Sequence, residues 1–358
     1  MIVKLRTALL IVMSLGFGVA CLILSANIRK GVIDGIDLCI STVIPSLFLF
    51  TVAANFAVKA GICRILGKLF HPFSTKLLNL SGEQFAVFLL SLVSGYPVGV
   101  SLVNELFKQG KISESKARKM SYFAVSAGPA FILIAVGEVS LGHRADGLRL
   151  LLAHLLASTV LCAAFGIISV FLKDKGLEPV ETKDSLNNKA SLADCFVESA
   201  VAASKTMFSV CTFVVVFGAL AQLLSTDVLP FTPFVSNLLR ALVEVTVGVQ
   251  RFGRGRLALI AFLLGFGGIS VHFQVLSVAK SIKLRYLPFL FSRILHGLLS
   301  AAAVELFELI SPRYIDTAVT PAPQAALHGN PLGVLAMLLM GVILTVYTSK
   351  KKDAYTNV

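Results

Sequence analysis

Apolar residues run along this chain in long blocks separated by short polar stretches, and the blocks are of two kinds. Residues 7–26, 148–172, 286–304 and 331–348 are nearly continuous. Each is about the 20 residues a helix needs to cross a bilayer. The first predicts a spanning helix, with a cleaved signal peptide as the alternative. The other blocks carry breakers in mid-run. Residues 85–106 contain Ser94-Gly95-Tyr96-Pro97-Val98-Gly99, residues 122–141 contain Ser126-Ala127-Gly128-Pro129, and residues 257–278 contain Gly265-Phe266-Gly267-Gly268. Gly and Pro at that density predict that a helix unwinds there.

Amphipathic stretches lie between the blocks. Residues 32–44 carry Asp34 and Asp37 and predict an amphipathic helix, at the interface or at the edge of a cavity, that Pro45 interrupts, with an apolar run at 46–58 after it. Residues 61–80 are basic and predict a helix at the membrane surface. Residues 192–205 lead into an apolar run at 206–224, and residues 231–249 are again amphipathic.

Composition sharpens this picture. Of 358 residues, 56% are hydrophobic and 14% charged. A soluble domain carries about a quarter charged residues, so the chain predicts an all-α integral membrane protein. The net charge of +13 sits in the short stretches between blocks, the pattern of the positive-inside rule rather than of a nucleic-acid surface. Lys350, Lys351 and Lys352 then belong inside, as do Lys280, Lys283 and Arg285, while Glu305, Glu308 and Asp316 mark an outer loop. The C-terminus is expected to be cytoplasmic. None of the six cysteines forms a C-x-x-C, and no Walker A, G-x-S-x-G or H-E-x-x-H occurs. The sequence therefore predicts no metal, no cofactor and no enzyme.

The order of features repeats. An acidic amphipathic stretch from Asp34 precedes Phe48 and an apolar run, and one from Asp194 precedes Phe208 and a similar run. The stretch from His71-Pro72-Phe73 resembles that from Thr232-Pro233-Phe234. A Gly-broken run follows in both, pairing Ser94–Gly99 with Gly265–Ser270. The expected organisation is an N-terminal helix (1–30), a first repeat (31–172), a polar linker (173–191), a second repeat (192–304), and an outer loop with a final helix (305–358). Repeats with matching broken segments point to a secondary transporter.

Ser94-Gly95-Tyr96-Pro97-Val98-Gly99 and Gly267-Gly268-Ile269-Ser270-Val271-His272-Phe273-Gln274 resemble the paired signatures of the YlbJ family of sporulation membrane proteins, within the nucleoside-recognition (Gate) superfamily. The resemblance implies about eight spanning or re-entrant segments in two inverted repeats, like concentrative nucleoside transporters. It also implies movement of dipicolinic acid into the developing spore. One departure is Val125-Ser126-Ala127-Gly128-Pro129, where the family tends to carry Asn-Asn-Pro-Gly-Pro. A nucleoside-type transporter and a non-transporting spore-envelope assembly factor are the alternatives. The partners expected are the bilayer and a small organic anion or nucleoside, with an oligomer left open.

The candidate substrate-binding residues are Ser94, Gly95, Tyr96, Gly267, Gly268, Ser270, His272 and Gln274, around breaks expected to meet at mid-membrane. Tyr96 can bond a carboxylate or stack on a ring, or simply pack. His272 and Gln274 can touch ligand or cap freed backbone. Ser126, Glu138 and Arg293 are candidates for a polar cavity, because ionisable groups inside spans are costly. Arg293 has snorkelling to the surface as its alternative, and His296 has ordinary packing.

Overall fold

The computed structural model describes residues 2–171 and 191–312, and all regular structure among them is helical. The expected linker, most of the outer loop and the final span fall at 172–190 and 313–358, outside the described residues. Five described helices are long and apolar enough to cross a membrane: Ser25–Lys59, Arg144–Ser169, Leu192–Gln222, Leu257–Val278 and Tyr286–Ile310. Large apolar side chains such as Leu49, Phe208, Phe291 and Leu309 point outward from them, as a lipid-facing surface requires. The chain is a multi-pass membrane protein.

The first run forms α1 (Ile2–Ile23). The next span is made of α2 (Ser25–Leu38) and α3 (Ile44–Lys59), joined by a π-helical turn at Cys39–Val43. This corrects the expectation that Pro45 interrupts the helix: residues 32–44 run on through it as part of one apolar span. The proline sits in the first turn of α3, where its missing N–H costs little, and the wide turn before it makes room for its ring. The same span packs antiparallel to α9 (Leu192–Gln222). Gly31 lies so close to α9 that a Cβ there would meet Ala219 Cα at 2.7 Å. At the other end the Cys195 thiol lies 3.8 Å from the Lys59 carbonyl. Small residues allow such close helix approach in lipid, where packing replaces the hydrophobic drive.

The basic helix α4 (Ile62–Leu78) lies on α5 (Gly82–Ser94), which starts with a Ser81–Gln84 capping box. From α5 the chain turns at Gly95-Tyr96-Pro97 into α6 (Val98–Lys108), and the two helices pack on each other as a hairpin. Next come α7 (Glu114–Phe123), an unwound stretch at 124–128, and a π-wound segment, Phe131–Ser140. The long helix α8 (Arg144–Phe171) returns across the bundle.

A second hairpin follows α9. It consists of α10 (Pro233–Val243) and the short α11 (Val245–Val249), turning at Glu244. Residues 231–249 are therefore not one amphipathic helix. The span Leu257–Val278 is divided at Gly267 into α12 (Leu257–Phe266) and α13 (Gly268–Val278). It leads to α14 (Tyr286–Ile310), whose far end receives an Arg149 bond at Ser311 O, so α8 and α14 run antiparallel.

The two Gly-rich interruptions paired in the sequence differ in kind. Residues 95–97 are a hairpin tip, whereas Gly267 breaks a helix that continues. In each half, a hairpin tip rests on an unwound or broken segment. Gly95 and Gly128 are close enough that a Cβ on Gly95 would lie 3.1 Å from Gly128 N. A Cβ on Gly268 would lie 3.0 Å from Val245 N at the second tip. The open ends of the hairpins face opposite ends of the bundle. Lys108 of α6 and Lys280 after α13 line one shared opening, while α11 leads to the start of α12 at the other end.

A Cβ on Gly99 would lie 2.5 Å from Ser91 Cβ across the closed hairpin and 2.1 Å from Ala124 O in the unwound stretch packed on it. Gly99→Ala should therefore lower the thermal stability of the detergent-purified protein by about 1–3 kcal/mol. Gly253→Ala meets nothing within 4 Å and should melt like the parent.

Candidate functional site

The first unwound stretch would leave bare backbone groups in an apolar interior, each costing several kcal/mol. Its partners come from α8 and α14. Arg293 donates from Nη1 to Val125 O at 2.6 Å and from Nη2 to Tyr122 O at 2.5 Å. His154 Nε2 accepts from Ala127 N–H at 2.9 Å. Arg293 Nη1 also lies 3.1 Å from His296 Nδ1. An arginine can only donate, so that ring nitrogen accepts, and the His296 proton sits on Nε2, facing Ser158 Oγ at 3.2 Å. The two imidazoles lie side by side, with centroids 4.4 Å apart.

Arg293 is 1% exposed, so it neither snorkels nor presents a free charge. Its donors are committed to the unwound carbonyls and their neighbours.

The second break is satisfied differently. Gly267 and Gly268 both adopt positive φ, +86° and +72°, conformations that cost little only for glycine. The Phe266 carbonyl freed by this turn lies 3.0 Å from His272 Nε2. His272 Nδ1 lies 3.3 Å from the Tyr286 hydroxyl. His272 thus sits where it caps the freed carbonyl. At the hairpin tip, Glu244 Oε1 accepts from Thr246 N–H at 2.9 Å. Ser270 lies beside the same carboxylate and accepts from Gln274 Nε2 at 3.1 Å. Glu244 is 1% exposed, and its Oε2 has no hydrogen-bond partner among the described residues.

Between the two junctions lies a small cavity of about 30 Å³, room for a water or two. Gly95, Tyr96 and Gly128 line it from the first junction, and Thr246, Val271 and Gln274 from the second. Ser46 and Val210 close it from α3 and α9. The Tyr96 hydroxyl is buried there without a partner among the described residues.

A second cavity of about 600 Å³ opens at the lysine-bearing end. Three helices line both cavities, and the wide one is lined by Asn55 and Lys59 of α3, Lys205 of α9 and Ser277 of α13, with Asn104 and Lys108 of α6 added. Ser277 lies one turn beyond Gln274 and meets Ser209 of α9 at 3.2 Å, between the two cavities.

Of the candidates, Gly95, Tyr96 and Gln274 line the inner cavity, and Ser270 backs Gln274. Gly267 and Gly268 shape the second junction. Ser94 bonds Leu90 O in its own helix, and Ser126 lies buried in the unwound stretch. Glu138 lies apart, partly exposed at the end of its segment, 3.4 Å from Arg144. Sequence reasoning missed Glu244, Thr246 and His154. An acid between Val243 and Val245 in an apolar run was the signal for Glu244.

Arg293→Met would leave the Val125 and Tyr122 carbonyls without their donors in the interior. The loss should be about 2–5 kcal/mol, read as a lower unfolding temperature in detergent. Arg293→Lys should not restore it, since one ammonium lacks the guanidinium fork that reaches both carbonyls.

The chain is 26% identical over 309 residues to the sporulation integral membrane protein YlbJ of Bacillus subtilis, covering 76% of this chain and 75% of that protein. It is 33% identical over 75 residues to an uncharacterized protein of Methanocaldococcus jannaschii, covering 21% of this chain and 24% of that one. No protein-family model matches the chain, and no solved structure matches it.

Proposed function

We propose that this chain, a YlbJ-type sporulation membrane protein, is a secondary transporter that moves a small organic anion, dipicolinate, across a membrane of the sporulating cell. The observation that carries this reading is the pair of junctions, each a hairpin tip on an unwound or broken segment, facing one small cavity. Irregular backbone in the membrane persists only inside protein or beside a water-filled path. Hairpins entering from opposite ends suit a pair of inverted repeats, and alternating access follows when one unit rocks against the other around the site between them.

The wide opening supports an anionic cargo. Among the described lining residues, Lys59, Lys108, Lys205 and Lys280 outnumber Glu105 and Glu198. The positive-inside rule makes that end cytoplasmic, so the described state is open to the cytoplasm and closed at the inner site. A cavity of 30 Å³ cannot hold a pyridine dicarboxylate. The substrate would enter the wide opening, and α3, α6, α9 and α13 would part near Ser209 and Ser277 to admit it. At the inner site the Tyr96 hydroxyl and the Gln274 amide would hydrogen-bond the carboxylates.

Protein reconstituted in vesicles should exchange labelled dipicolinate against internal dipicolinate but not uridine. Absence of exchange would favour the assembly-factor reading, and uridine exchange the nucleoside one. Tyr96→Phe should weaken dipicolinate binding by about 1–3 kcal/mol. It should not destabilise the empty protein, because the hydroxyl has no partner to lose.

Lys108→Gln with Lys280→Gln should slow entry severalfold at low salt and much less at high salt, where the Debye length falls to about 3 Å at 1 M. A loss equal at both salts would remove the electrostatic role of the opening.

A further inference from the structure

Glu244 is the one charged side chain at either hairpin tip, and no part of the binding scheme above uses it. It is 1% exposed, its Oε1 is held by Thr246 N–H, and its Oε2 is unpartnered among the described residues. The cations and titratable groups on the surrounding elements are engaged elsewhere, the Cys39 thiol of the π turn with the Cys211 carbonyl of α9. On α10, Arg240 donates to Gln222 of α9. On α14, Arg293 is bound to the first unwound stretch. On α13, His272 faces Phe266 O and Tyr286. From the first tip, Tyr96 contributes a neutral hydroxyl. An ionised carboxylate without a counter-charge is expensive in such a place, whereas the same group carrying a proton is not.

The carboxylate is wired to the inner cavity. Thr246, whose N–H it accepts, lines that cavity, as does Gln274, which donates to Ser270 beside the carboxylate. An anion arriving there would repel an ionised Glu244 and favour the protonated form. By linkage, a proton on Glu244 favours the anion equally.

We propose that Glu244 is a proton-binding site at the second hairpin tip, loaded and emptied once per cycle, which couples anion movement to the proton gradient. The coupling rests on the transport reading, but the proton site does not. The proton adds to Oε2 on one side of the membrane and leaves from it on the other.

The first test needs no transport. Infrared spectra of the purified full-length protein are compared between about pH 6 and about pH 9, above the range where exposed carboxylates titrate. The wild type should show a carboxylic-acid band that fades as pH rises, and E244Q should lack it. Gln keeps an acceptor for Thr246 N–H, so E244Q retains the tip. An unchanging band, no band, or the same fading band in E244Q would each overturn the site.

The second test uses vesicles with an entrapped pH dye. An imposed proton gradient should drive dipicolinate accumulation with proton entry in the wild type, and E244Q should lose that accumulation about tenfold or more. Gradient-driven accumulation persisting in E244Q would sink the coupling. If the wild type exchanged no dipicolinate at all, the transport reading and the coupling would fall together, and the infrared result would still decide the proton site.

Discussion

A peptide group stripped of its helix partner has nowhere to turn in hydrocarbon, and most of this architecture follows from that constraint. The chain unwinds in its apolar interior at 124–128 and again at Gly267. The first opening is answered by side chains from distant helices, with Arg293 supplying donors to two carbonyls and His154 an acceptor to one amide. The second is answered within its own neighbourhood, by His272 on the Phe266 carbonyl. α8 and α14 stand side by side because both must reach the same unwound stretch.

Glycine sets the spacing that makes these junctions possible. Gly95 meets Gly128, and Gly268 meets the backbone around Val245, at separations that leave no room for a larger residue without movement. At Gly95 and Gly268 the positive φ adds a second reason for glycine. The glycines that looked from the sequence like openings for a ligand are also the contact points of the fold. Polar side chains beside them, Tyr96 and Gln274, therefore report on binding more cleanly than the glycines do.

How much of this the sequence disclosed depended on whether a feature used Gly or Pro. The breaks at 95–97, 126–129 and 267–268 were legible because those residues interrupt apolar runs. The tip at Glu244 was not, since Val-Glu-Val-Thr-Val holds no breaker and its polarity passed for the wet face of a helix. Pro45 misled in the opposite sense, because a π turn let the helix continue past it. Arg293 was legible as costly and therefore purposeful, yet its bonds to residues 168 and 171 positions away could not be read from local pattern. Glu138 looked buried only because the end of its apolar segment could not be located from composition.

The reach of Arg293 bears on how the chain is made. Residues 122 and 125 leave the ribosome well before residue 293, and among the described residues no helix of the first half supplies the donors that Arg293 brings. During synthesis their carbonyls must stay in contact with water or the insertion machinery until α14 arrives. Side-on docking of α14 is then the step that dries the interior. A chain truncated before it would hold a hydrated, open first half, recognisable to membrane quality control as unfinished.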